Sequence, residues 1–587
     1  MRKEHDGALR RPWRTLACSV LLALLLAACG GSGGGNEAGG DEPPPAADEA
    51  ARFLAQASFG ATEAQIEEVS RLGYSAWLRE QFAEPQTLHR QTMNGVAAGL
   101  AADARLNQNH FFQSWWQQAV TGDDQLRQRM AFALSQIFVV SLADGNVGNH
   151  PRGVASYYDM LGEKGFGNYR ELLEAVALHP MMGVYLSHLR NQKEDAASGR
   201  MPDENFAREV MQLFSIGLHE LNADGSLRLG ADGQPIEAYT NADIQGLAKV
   251  FTGWSWYAGD NAGDRTRSRF FGNDAHPDRD WQPMQPYSKF APNTDFHSVS
   301  AKSFLGVAIP VQSTPDPQGD LKAALDRLAG HPNVGPFLGR QLIQRLVTSN
   351  PSPAYVRRVS AAFAGKAGGT RGDMRALITA VLLDPEARSI DPASRRAGKL
   401  REPVLRLANL LRAAGARSTS GRFTGIDNTD DAATRLGQSP MRPPSVFSFY
   451  RPGYSPSGTG IAEAGLVAPE LQLAHEVSVA GYLNYLRGWL TTSNSRDVQL
   501  PFTAESALAD TPDQLVERFN RLLMGGQMPL ALRAQIETAV IGRAIPAAQT
   551  GSAGQVSNQA AIDSARRDRA AIAAYLVMAA PDYLIQK

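Results

Sequence analysis

In many stretches from Ala50 onward apolar residues recur at three- and four-residue intervals, and this period limits most strongly what the chain can fold into. Leu126 to Val140 places Met130, Leu134, Ile137 and Phe138 on one stripe. Tyr169 to Leu178, Glu204 to Ile216, Asp243 to Phe251, Val334 to Leu346, Met374 to Leu383 and Leu400 to Ala413 read the same way, and a last helix runs from Asp563 to Ala579. A stripe of this kind is buried by packing against another helix. The expected fold is therefore mainly α, a large multi-helix globular unit with long ordered loops and at most a small β-hairpin. The hairpin falls between Leu221 and Tyr239, around the turn dipeptides Asp224-Gly225 and Asp232-Gly233. Thr62 is placed to cap a helix, and Thr240 with Asp243 forms a capping box in which Asp stands for the usual Glu.

Neither disulfides nor thiolate metal sites can hold such a body together. The only cysteines are Cys18 and Cys29, both near the N-terminus. With 587 residues, 43% of them hydrophobic, the chain can bury a large core without such staples. Its net charge is -1, and the leader holds five basic side chains (Arg2, Lys3, Arg10, Arg11 and Arg14), so the remainder is mildly acidic. That balance lacks the footprint of a nucleic-acid binder, and no nucleic-acid partner is expected.

The N-terminus carries an address. A basic segment, Arg10 to Arg14, precedes an apolar run from Leu16 to Ala28, long enough for a signal peptide and too short to span a bilayer. The run ends Leu26-Ala27-Ala28-Cys29-Gly30, which resembles the lipobox of bacterial lipoproteins, where the cysteine becomes the lipidated N-terminus. The Gly- and Pro-rich sequence that follows reads as a tether. The division is thus a signal peptide over 1–28, a tether over 29–48 and a helical body over 49–587, with the membrane as partner through the lipid on Cys29. Gly30 stands where an inner-membrane retention signal places Asp, so the resemblance implies an outer-membrane anchor.

Two aperiodic segments, Asp260 to Pro292 and Gln438 to Ser457, are rich in aromatic residues and proline. Segments this long in a compact body are functional or disordered, and the aromatic content favours ordered loops or a lid. Several other segments carry a family resemblance: Arg52 to Gly60, Arg129 to Gln136, Glu204 to Phe214, Thr252-Gly253-Trp254 and Arg442 to Phe447. Their order is similar to that of the bacterial domain of unknown function 1800 family, over roughly Glu49 to the C-terminus. The resemblance implies a large secreted or envelope protein, often encoded beside a member of the domain of unknown function 1501 family, which is similar to alkaline phosphatases and sulfatases. It brings no established activity and no catalytic residues. The family often shows a His-Asp pair near a Lys-x-x-Leu-Gly segment; here Asp295-Phe296-His297 precedes Lys302-Ser303-Phe304-Leu305-Gly306.

The chemistry must be sought in isolated residues. No His-x-x-x-His pair, Gly-rich phosphate loop or Gly-x-Ser-x-Gly elbow is present, and no motif specifies a cofactor or a metal. On the Glu204–Phe214 helix, Glu209 lies beside the apolar stripe, where a half-buried carboxylate becomes a general base or a structural ion pair. Glu204 and Arg208 form an i, i+4 surface pair. His179 and His331 precede prolines and suit caps and turns. Trp115-Trp116 with Phe111-Phe112 suits core packing, and Trp254 and Trp256 offer the better aromatic platform for substrate. The site expected from these residues is a cleft holding Asn205, Arg208 and Glu209. The loop around Arg442 and Thr252-Gly253-Trp254 close it, with His297 nearby. Two functions follow: an envelope enzyme, hydrolytic in type and acting with a phosphatase- or sulfatase-like partner, or a non-catalytic envelope scaffold or binding lipoprotein. The address is directly testable. Cys29→Ser is expected to abolish labelling by a palmitate analogue and cleavage by lipoprotein signal peptidase; normal labelling would refute the lipobox.

Overall fold

A computed structural model describes residues 44–288, 295–366, 368–389, 394, 396–492, 496–551 and 554–587. The segment read as a signal peptide, Cys29 and most of the segment read as a tether lie outside the described residues. Pro44–Lys587 forms one compact unit. Among the described residues 25 α-helices account for nearly all regular structure, joined by four two-stranded antiparallel pairs. The mainly α expectation holds.

Periodicity located several helices well. Tyr169–Leu178 and Val334–Leu346 have the expected bounds, and the last helix is Gln559–Ala579. The first helix, Ala47–Ala57, begins inside the segment read as tether. Thr62 accepts from the Gln65 amide at 3.3 Å. Thr240 Oγ1 accepts from the Asp243 amide at 3.3 Å while Asp243 Oδ2 accepts from the Thr240 amide at 2.7 Å, completing the capping box.

Two helices stop early. The Leu126–Val140 pattern is helical only over Gln125–Ser135. The Glu204–Ile216 pattern is helical over Asn205–Gln212 and then unwinds, with the Phe214 amide bonding Glu209 O and the Ile216 amide bonding Met211 O. Gly217, at φ +72, ends the segment; an added Cβ would stand 3.0 Å from the Phe337 ring. In both cases the apolar stripe continues past the helix and is buried by irregular backbone, which periodicity does not distinguish from helix.

The expected hairpin is looser than a ladder. Isolated bridges join His219 to Glu237, Leu221 to Leu227 and Leu229 to Pro235, with turns at the two Asp-Gly dipeptides. The aperiodic Asp260–Pro292 segment, described as far as Ser288, folds back so that Gln285–Pro286 pairs with Trp254–Ser255. Phe111, Phe112, Trp115 and Trp116 are all core residues, and Trp115 donates to Tyr158 Oη at 3.0 Å.

Chain ends and centre are woven together. Lys399–Leu400 pairs with Ile585–Gln586, and Arg521 on the helix Pro512–Met524 meets Asp48 at 3.2 Å. At the middle of the packing, Arg412 is buried on the helix Pro403–Ala413 without an ion pair among the described residues. Its guanidinium donates to Gly60 O at 2.7 Å, Ala119 O at 3.2 Å, Val120 O at 2.8 Å and Gln65 Oε1 at 2.6 Å. Ala119 and Val120 are in the last turn of Gln108–Thr121, where carbonyls lack intrahelical partners. Burial draws the Arg412 pKa down to about 9. Gly60, at φ +129, lets the chain approach: a Cβ there would come within 2.4 Å of Asn409 Nδ2. Arg412→Met takes the guanidinium from the Val120 carbonyl and leaves Gly60 O and Ala119 O only Ser58 Oγ at 3.1 Å and Gln125 Nε2 at 3.4 Å, and is expected to cost at least about 2 kcal/mol, measured as the shift in urea unfolding. A change under about 1 kcal/mol would show that water or neighbours replace the guanidinium.

Candidate functional site

The helix Val334–Leu346 presents Phe337, Arg340, Gln341 and Gln344 along one face, at the i, i+3, i+4, i+7 spacing. Opposite stand Leu218, Leu221 and Leu227 from the bridged segment, and Val446, Phe447 and Arg451 from the proline-rich turn segment close one end. Between them is a groove of about 510 Å3, a size suited to a small ligand. Its floor is Gln136 and Ile137, at the point where Gln125–Ser135 stops being helical. Leu218, Leu227 and Phe447 on the rim are 53%, 46% and 37% exposed, an apolar edge that folding has left open.

The electrostatics are one-sided. Arg340, Arg345 and Arg451 line the groove, and no carboxylate is among the described residues lining it. Arg340 reaches solvent yet its side chain has no ion pair or hydrogen bond among the described residues, and desolvation by its surroundings lowers its pKa. Arg451 lies over the Phe447 ring at 4.6 Å. Arg345 is buried and donates to Gln341 O at 3.2 Å and Gln136 O at 3.0 Å, while its Nε has no partner. Gln341 Nε2 and Gln344 Oε1 are also buried without partners. Each such atom costs about 1–3 kcal/mol unless something else satisfies it.

Behind the floor sits a fully buried charge cluster. Lys399 Nζ lies 2.9 Å from Glu470 Oε1, 4.0 Å from Glu402 Oε1 and 3.2 Å from Arg345 O. Gln136 Nε2 donates to Glu402 Oε2 at 2.6 Å, and Tyr450 Oη donates to Gln136 Oε1 at 3.1 Å. Burial raises the Glu470 pKa, against the pull of Lys399. Gln136 therefore connects the groove to the cluster and is held rigidly by it.

The residues expected to form the site are distributed differently. Glu209 is 8% exposed, with no hydrogen bond or ion pair among the described residues, and desolvation raises its pKa. The structural pair weighed for it is absent there, because Arg208 turns to Glu204 at 3.4 Å as the surface spacing predicts. Asn205 is exposed and reaches Ser187 Oγ at 3.5 Å. Arg442 is held by Asp430, Gln108 Oε1 and the Leu142 carbonyl, which secure the turn segment rather than leave a guanidinium free for an anion. His297 has no exposed surface: Nδ1 faces Thr252 O at 2.7 Å and Nε2 faces Asp320 Oδ2 at 2.9 Å. Lys302 reaches the same Asp320 oxygen at 2.8 Å, so the carboxylate that meets His297 and Lys302 is Asp320, while Asp295 pairs with Lys193 at 2.8 Å. Trp256 is buried under Arg279, 4.8 Å above its ring, and Trp254 is 3% exposed, so neither presents an open platform. His179 and His331 accept from the amides of Met181 and Asn333, both at 3.2 Å, in the turn roles their prolines imply.

Three of the familiar segments nevertheless converge on the groove. Gln136 comes from the Arg129 segment, Gln212 and Leu213 from the end of the Glu204 helix, and Val446 and Phe447 from the Arg442 segment. Arg340, Gln341, Gln344 and Arg345 escaped sequence reasoning, since charges and amides on an amphipathic helix read as a solvated face.

A large, mainly helical body with a ligand-sized cationic groove is the class that fold and site define. Within it, the chain belongs to the family described as Protein of unknown function (DUF1800), whose model matches residues 52–585. No curated protein and no solved structure matches the chain.

Glu209 supplies a pH test. A carboxyl whose folded pKa is raised binds its proton more tightly folded than unfolded, so its contribution to stability is lost as pH rises through the raised value. Glu209→Gln is expected to leave stability at pH 7 unchanged or slightly higher and to flatten its decline between about pH 4 and pH 7, measured by urea unfolding. A loss of several kcal/mol would instead reveal a buried ion pair.

Proposed function

We propose that the protein is a membrane-anchored binding lipoprotein whose groove takes an apolar chain ending in an anion, as in a fatty acid or an anionic lipid. The observation that carries this reading is the pairing of apolar walls with three arginines and no lining carboxylate among the described residues. An anionic head satisfies Arg340, which has no partner among the described residues, and the walls formed by Leu218, Leu227, Phe337 and Phe447 shield the chain. The lining supplies cations and amides rather than a paired acid and base, so recognition is favoured over the hydrolytic alternative. The leader and Cys29 support an envelope address, where such ligands are abundant.

The test titrates the full chain, held in amphipol, with dodecanoate, dodecyl phosphate, dodecanol and butyrate. Both long-chain anions are expected to bind at least about tenfold more tightly than dodecanol or butyrate, and Arg340→Gln to weaken the anions by a similar factor. The ratio of dodecanoate to dodecyl phosphate separates a free acid from a lipid phosphate. Equal binding of dodecanol, or indifference to Arg340→Gln, would overturn the proposal.

A further inference from the structure

The helix Leu530–Gly542 packs one side into the core through Ile536 and Val540, both buried. Its outer side carries Leu530, Ala534, Thr538 and Ile541 at steps of four, four and three residues, so they form one exposed stripe. The side of a surface helix turned from the core normally carries charged and polar residues. This stripe holds no charge, and Leu530 and Ile541 are 82% and 60% exposed. The two charged side chains of the helix stand half-buried on its flanks: Arg533, bound to Glu517, and Glu537. Ile585, 38% exposed, lines a hollow of about 270 Å3 with Pro529, the residue before Leu530, so the apolar edge continues from the helix to the C-terminal strand. A continuous apolar edge of this kind marks a surface that something else covers.

The stripe begins beside the point at which the chain enters the helical body. Asp48, in the first turn of Ala47–Ala57, packs on Gly526: a Cβ added to Gly526 would come within 2.2 Å of the Asp48 carboxylate. Leu530 is four residues beyond Gly526, and no more than about 14 Å of chain separates it from that contact. Cys29 precedes Pro44 by 15 residues, a stretch that cannot reach beyond about 50 Å. A lipid on Cys29 therefore keeps the start of the stripe within reach of its own bilayer.

Cations rim the far end. Arg543 follows the helix and pairs with Asp568 at 2.8 Å, and Arg569 donates to the Arg543 carbonyl at 2.7 Å and to the Ile541 carbonyl at 3.4 Å. Apolar side chains along a helix with arginines at the edge suit a membrane–water interface, where the first enter the acyl chains and the second meet lipid phosphates. Together with the position beside the anchored end, this favours a bilayer over a second protein as the covering surface.

We propose that the outer stripe of Leu530–Gly542 lies on the surface of the membrane that holds the anchor, so that lipid and helix together fix how the helical body faces the bilayer. The proposal rests on the lipid-anchor reading of Cys29 and uses no residue of the groove.

The test takes the full chain, purified from membranes and reconstituted in vesicles of phosphatidylethanolamine and phosphatidylglycerol. Leu530→Cys, Ile541→Cys and, as an exposed control (73%) elsewhere in the fold, Val311→Cys each receive an environment-sensitive fluorophore. The two stripe labels are expected to shift to the blue and to lose at least about half of their emission to lipid carrying a nitroxide near the headgroups, while the control label stays unquenched. Leu530→Glu, added to Ile541→Cys, is expected to reduce that quenching at least about twofold. The intact mass of the same protein reads the lipid on Cys29 separately. A chain without lipid would sink the anchor and this proposal with it. A lipidated chain whose stripe labels stay in water would overturn the proposal and leave the anchor standing. So would labels that shift without quenching by lipid, since a second copy or another protein would then cover the stripe.

Discussion

The structure depends on buried guanidinium groups that close helix C-termini. The last turn of a helix leaves carbonyls without intrahelical partners, and a body of many packed helices buries many such ends. Here arginines from other helices take them. Arg412 binds the Ala119 and Val120 carbonyls, Arg129 binds Arg345 O at 2.7 Å, Arg345 binds Gln136 O at 3.0 Å, and Arg127 binds Gly162 O at 3.1 Å and Glu84 O at 3.2 Å. Arg371, exposed in a turn rather than buried on a helix, also reaches the end of Pro317–Gly330, at Ala329 O (3.2 Å) and His331 O (2.8 Å). A planar fork of five donors reaches several carbonyls at once, and the negative end of the helix dipole favours the charge. In a body whose only cysteines lie in the N-terminal leader region, these contacts tie together segments far apart in sequence.

The same device shapes the groove. Arg345 spends its donors on Gln341 O and Gln136 O and so fixes both the floor and the helix above it. Its remaining Nε, with Gln341 Nε2 and Gln344 Oε1, is left without a partner. Polar atoms that helix closure has not used are thereby concentrated beside an open apolar wall. Rigidity comes from the Lys399, Glu402 and Glu470 cluster, where breaking any one member would strand a buried charge. His297, Lys302 and Asp320 do comparable work elsewhere, tying the segment after Asp295 to the helix Pro317–Gly330.

Much of the secondary structure was legible because the 3.6-residue period is a local property. Helix ends such as Thr62 and the Thr240–Asp243 box were legible because capping involves neighbours in sequence. The stops at Ser135 and Gln212 were not, since both apolar stripes continue into irregular backbone that packs as a helix would. Three of the expected segments meet at the groove, through residues other than those expected to form the cleft. The Glu204 helix does reach a ligand-sized groove, but through Gln212 and Leu213 in place of Glu209. Arg442 and His297 looked available only because their partners, Asp430 and Asp320, cannot be assigned from sequence.

By itself the sequence determined the helical class, the family resemblance and the expectation of a lipid anchor at Cys29, because periodicity, ordered motifs and a leader are all written along the chain. Tertiary structure alone decided which charges are spent and which are free. A guanidinium is a structural tie when it finds a carbonyl, as Arg412 does, and stays uncommitted among the described residues when it meets apolar walls without a carboxylate, as Arg340 does. Both read as arginines on amphipathic helices. The difference lies in what the rest of the chain brings within about 3 Å of the side chain, and only packing sets that.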